Sequence, residues 1–151
     1  MKLRHVATGM ILSLMAAVSI GSSAKAQTCT PLAVVEGNGE TEVTKTVTLP
    51  GLLFIESNWD TDFAVEESYD YFVTTVTSLG GNPYDIDVFF KYPDESFDSA
   101  YGIRDISLAE DEPLVITSES RIGTDPYQIN LRVGGLDAEG NTYTASVSGC
   151  R

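Results

Sequence analysis

Histidine is all but missing from this chain of 151 residues: His5 is the only one, and it lies near the start together with all three methionines, Met1, Met10 and Met15. Cysteine is limited to Cys29 and Cys150, and tryptophan to Trp59. Lysine and arginine total nine against 22 acidic residues, a net charge of −13. Each shortage excludes a class of function. Beyond residue 5 there is no imidazole, so Ser-His-Asp and Cys-His catalysis and the usual zinc or copper sites are excluded, since they need a group titrating near neutrality or a neutral nitrogen ligand. Too few cations remain to build a basic stripe, which excludes nucleic acid and anionic lipid surfaces as partners.

The apolar stretch at the start is short. Lys2 and Arg4 precede an apolar run from Met10 to Ile20, and small residues follow at Ala24 and Ala26. That order predicts a signal peptide over residues 1–26, cleaved before Gln27. A membrane-spanning helix needs ~20 predominantly apolar residues, and Gly9, Ser13, Ser19, Gly21, Ser22 and Ser23 break the run well short of that, so no membrane span is expected. A lipid anchor is not expected either, because Thr28 is a poor residue directly before a lipidated cysteine. The expected location is secreted, periplasmic or cell-surface, in a bacterium. Residues 27–151 then form a single domain, long enough to bury a core. Six of the nine basic residues and all 22 acidic ones remain in it, giving a net charge of −16.

In an oxidising compartment the two cysteines are most simply one disulfide, Cys29 to Cys150. Cα atoms across a disulfide lie ~4.4 to 6.8 Å apart, so the first and last elements are expected to meet.

Between them the hydrophobic period is two. Tyr84, Ile86, Val88, Phe90 and Tyr92 share one face against Asp85, Asp87, Phe89 and Lys91. The same alternation runs through Tyr127, Ile129, Leu131 and Val133, and through Tyr143, Ala145 and Val147. Further strands are predicted at 31–35, 42–49, 71–79 and 113–118, with weaker ones at 52–56 and 103–108. Gly80 to Pro83 and Asp137 to Asn141 are expected to turn hairpins, because Gly and Asn accept positive φ. Together these features predict an all-β fold, an immunoglobulin-like antiparallel β-sandwich of about seven or eight strands, with its N- and C-terminal strands joined by the disulfide. The likeness is one of architecture only, since immunoglobulin domains place their bridge on inner strands around a buried Trp, and Trp59 lies far in sequence from both cysteines.

No cofactor is called for, with calcium the one ion to weigh. Asn58, Asp60 and Asp62 offer oxygen ligands at alternate positions, but Phe63 stands where a helical-hand loop needs Gly and Tyr69 where it needs Glu. A looser site would join Asp60 and Asp62 to Asp94, Glu95 or Asp98. Tyr84, Tyr92, Tyr127 and Tyr143 are expected in the core, which leaves Trp59, Tyr69, Phe89 and Tyr101 as the aromatic residues available to stack against a sugar. Carboxylate pairs such as those within Glu110-Asp111-Glu112 could serve a glycosidase, yet acidic residues are so abundant that this signal is unspecific. The chain is therefore read as a non-catalytic protein, not an enzyme: a secreted, acidic binding or structural protein of the cell surface or extracellular matrix, with a protein or glycan as partner. The alternatives are a calcium- or carbohydrate-binding module and, second, a small carboxylate-based glycosidase.

Overall fold

The computed structural model describes residues 27–50 and 57–151. The signal peptide expected over residues 1–26 and the weak strand expected at 52–56 lie outside the described residues. Nine strands form among them: β1 (Cys29–Pro31), β2 (Glu42–Thr46), β3 (Asp60–Ala64), β4 (Tyr71–Gly80), β5 (Tyr84–Lys91), β6 (Phe97–Ile106), β7 (Pro113–Ser118), β8 (Gln128–Gly134) and β9 (Thr142–Cys150). All pairings between named strands are antiparallel, and they build two sheets. In the first sheet, β9 and β4 are central, β7 forms one edge, and β1 and β2 share the other by pairing with opposite ends of β9. The second sheet runs β3-β8-β5-β6. The architecture is thus the expected β-sandwich, with nine strands rather than seven or eight.

Alternation explains the layering. Tyr84, Ile86, Val88, Phe90, Ile129, Leu131 and Val133 point inward from the second sheet to meet Phe72, Val76, Tyr143 and Val147 from the first, all at most 1% exposed. Phe72 and Phe90 meet across the gap with ring centroids 5.3 Å apart. Burying a side chain of this size contributes roughly 1.5–3 kcal/mol, which makes this contact layer the main source of cohesion.

The two turn signals do not form hairpins. Residues 81–83 carry the chain from β4 in the first sheet to β5 in the second, and residues 135–141, with a short 3-10 turn at Leu136–Ala138, carry it back from β8 to β9. Gly and Asn permit a sharp reversal whether it stays within a sheet or crosses between sheets. The side chain of Asn82 pins the first crossing by donating to the Leu108 carbonyl (2.9 Å) and accepting from the Leu108 amide (2.8 Å).

The first and last strands meet as expected. Cys29 lies directly opposite Cys150, with an S–S bond and Cα atoms 4.1 Å apart. Thr28 and Arg151 exchange both backbone hydrogen bonds one step further on, which puts the cysteines at the narrower, non-hydrogen-bonded site of the ladder. Between β1 and β2 the chain crosses to the second sheet: the Val35 amide donates to the Asp62 carbonyl and the Ala64 amide to the Ala33 carbonyl, so this detour covers the edge of β3.

Candidate functional site

The outward side chains of the second sheet form rows. One row reads Ala64, Gln128, Lys91, Phe97; the next Asp62, Asn130, Phe89, Ser99; the next Asp60, Arg132, Asp87, Gly102. Aromatic, amide and charged groups therefore lie side by side on one face.

At the Phe97 end this face opens into a groove of about 450 Å³ lined by Phe89, Lys91, Tyr92, Glu95, Ser96, Phe97, Tyr127 and Asn130. Phe97 is 66% exposed and Tyr127 49%. Phe89 and Phe97 stand edge to face, centroids 5.9 Å apart. Tyr127 precedes β8 and is held by its amide, which donates to the Lys91 carbonyl. This corrects the expectation that Tyr127 belongs to the core: the strand begins at Gln128, so the inward alternation starts with Ile129 and Tyr127 remains on the rim.

The polar wall is preset. Lys91 Nζ and Asn130 Nδ2 both donate to Asp62 Oδ1, at 2.9 and 2.8 Å. Partial burial pushes the Asp62 carboxyl up, but hydrogen bonds from Asn130, Lys91 and Gln128 outweigh it and hold the group below the ordinary carboxylate range. The sign follows. A carboxyl with a depressed folded value adds stability that is fully present above the unfolded value of about 3.9 and is lost as pH falls through the folded one. The urea midpoints of the native protein and Asp62→Asn should therefore differ by a constant amount between about pH 5 and pH 7, and converge below about pH 4. A gap that stays constant into strong acid would remove Asp62 from this role.

The far wall of the groove is tied by Arg121. Its guanidinium makes two hydrogen bonds to Asp98 (3.0 and 2.8 Å), lies 3.7 Å from Asp94 and stacks 3.7 Å from the Tyr92 ring centroid, while its amide donates to the Tyr92 hydroxyl. Asp98 is held below its ordinary range chiefly by the Arg121 hydrogen bonds, and Asp94 chiefly by the Ser96 hydroxyl. The loop bearing Tyr127 is thereby locked to the turn bearing Glu95 and Phe97.

A smaller cleft of about 130 Å³ continues along the same face, lined by Trp59, Asp85, Asp87, Arg104, Arg132 and Gly134. Trp59 is only 9% exposed; its ring rests against Gly134, its Nε1 donates to the Thr48 carbonyl (2.8 Å), and the Arg132 guanidinium stands 5.0 Å from its centroid. Arg104 pairs with Asp87 at 2.9 Å.

The four aromatic residues singled out in the sequence are thus scattered. Phe89 lies in the groove, and Trp59 is packed at the opposite end of the same face. Tyr69 sits on Gly149 at one end of the core, edge to face with Phe72, with Arg151 above it. Tyr101 is opposite the inward-pointing Val88 and packs against the core. A bulge at Ala100 causes this, because one extra residue in β6 moves Tyr101 to the other side from Ser99.

The carboxylates weighed for calcium are divided between different partners. Asp60 and Asp62 share the outer side of β3, where Lys45 Nζ donates to the Asp60 carbonyl (2.8 Å), whereas Asp94 and Asp98 belong to Arg121. Among the described residues no group of three or more His, Cys, Asp or Glu side chains is placed to hold a metal ion.

Phe97 escaped the sequence reading. Its one signal was an aromatic ring within the polar stretch Asp94-Glu95-Ser96-Phe97-Asp98-Ser99, where no alternation would draw it inward.

No family model matches the sequence, and a search of curated proteins finds no match. Among solved structures, a family 29 carbohydrate-binding module is 10% identical, covering 83% of this chain and 89% of that one, with a TM-score of 0.46. A tyrosine-to-alanine mutant of such a module is 8% identical, covering 83% and 93%, with a TM-score of 0.47.

Proposed function

We propose that this protein is an exported, non-catalytic glycan-binding module whose site is the groove on the outer face of the second sheet. The observation that carries this reading is the pairing of an exposed Phe97 and a half-exposed Tyr127 with a polar wall already held in place by Asp62, Lys91 and Asn130. Large rings left in water beside a groove are costly unless a partner covers them. A sugar suits such a groove because its C–H face is apolar and its rim is lined with hydroxyls: the rings take the face, while Asn130, Lys91 and Glu95 lie within reach of the rim. The disulfide supports an oxidising location outside the cytoplasm.

The test is titration calorimetry of the native protein against a panel of neutral and charged oligosaccharides. Phe97→Ala and Tyr127→Ala should each weaken binding about tenfold or more, because each removes a buried apolar contact made only in the complex. Both residues are exposed, so their thermal midpoints should stay near that of the native protein. Binding that survives both substitutions unchanged would place the site elsewhere.

A further inference from the structure

Taking the glycan-binding reading as its basis, we infer that the groove selects cationic sugars, polymers of hexosamine with free amines, with the Glu95 carboxylate meeting the ammonium group. Glu95 stands on the groove at the tip of the β5–β6 turn, exposed and held at φ 66°, and makes no ion pair among the described residues. Its amide donates to the Tyr92 carbonyl, which fixes the turn and so the base of the side chain.

The nearby cations are already taken. Lys91 is bound to Asp62, and Arg121 to Asp98 and Asp94. The groove and its walls thus carry two cations against four carboxylates: Asp62, Asp94, Glu95 and Asp98. The rest of the molecule adds to this field, since Arg104 is paired with Asp87, Arg151 with Glu67, and residues 27–151 carry a net charge of −16. Aromatic faces act in the same sense, because their negative quadrupole attracts an ammonium group placed over the ring. A neutral sugar would use only the stacking and the hydrogen bonds. An amino sugar would use the charge as well, and an acidic sugar would be repelled.

The experiment compares a fully deacetylated glucosamine hexamer with its N-acetylated counterpart, and with a lysine-rich peptide of equal charge, on the native protein and Glu95→Gln. The free-amine hexamer should bind about tenfold tighter than the acetylated one, the advantage of one charge-assisted contact. Glu95→Gln, which preserves shape, should remove that advantage and bring the two hexamers to similar affinity. The advantage should also shrink as salt rises from about 10 mM to about 500 mM. Equal affinity for the two hexamers, or an advantage that survives Glu95→Gln, would overturn the inference. So would a lysine-rich peptide that binds as tightly and competes for the groove. If acetylated hexamers bind and Phe97→Ala weakens them while the free amine adds nothing, only the charge selectivity fails. If no sugar of any kind binds, the glycan reading itself falls.

Discussion

Replacing Cys29 and Cys150 together by serine is expected to cost the domain about 5 kcal/mol, because the bridge joins residues 121 positions apart and the loop-entropy cost of the unfolded chain grows with that length. A loss of this size is a large part of the ~5–15 kcal/mol by which a domain of this class is stable, and should lower the thermal midpoint by more than about 10 °C. The folded state offers little to compensate. β1 is three residues long, all exposed, and pairs only with β9 in the first sheet. Without the bridge, the first turn of chain should fray from Cys150 before the rest melts. Urea denaturation of residues 27–151 and of their double serine variant measures the difference directly. A gap under about 1 kcal/mol would mean that the ladder and the crossing at residues 33–35 already hold the ends together, and would sink the expectation.

Gly134→Ala should cost about 3 kcal/mol, although it adds one methyl group. A Cβ at this position would press against the Trp59 indole well inside van der Waals contact, and the ring cannot shift away without losing its bond to the Thr48 carbonyl and its contact with Arg132. Overpacking of this kind typically costs 1–3 kcal/mol, and a stranded buried donor roughly 1–3 more. Trp59 is the sole tryptophan, so its fluorescence reports the displacement without a label. The emission should move to longer wavelength in Gly134→Ala while the protein is still folded. A double-mutant cycle closes the test: in a Trp59→Ala background, Gly134→Ala should cost almost nothing, because the two residues act on the same contact. Additive costs would show that Gly134 is needed for another reason.

What could be read in the sequence followed local period. In β8 and β9, and in β5 apart from Phe89, alternation of apolar and polar residues sorts inward from outward without any knowledge of neighbours, and the cysteines added the long-range tie. β3 was invisible for the opposite reason. Asp60-Thr61-Asp62 has the composition of a loop, and it becomes a strand because Lys45, Lys91 and Asn130, all distant in sequence, absorb its polar atoms while Phe63 enters the core. The groove was half visible. Phe89 is outward by simple alternation, but Tyr101 depends on a bulge that no short-range pattern announces, and Tyr127 on where a strand begins. Phe97 and Glu95 meet the groove because one turn is locked by Arg121 from a loop more than 20 residues away, which is information that exists only in three dimensions.

The bridge between the first and last strands also decides how the molecule answers a pull. Tension applied between residues outside Cys29 and Cys150 would pass through a single covalent link and never reach the sheets that lie in the closed loop between them. A pull between those flanking residues would therefore leave the groove on the second sheet in its resting shape until the disulfide itself gave way, whereas a pull applied at the groove would load the sheets directly.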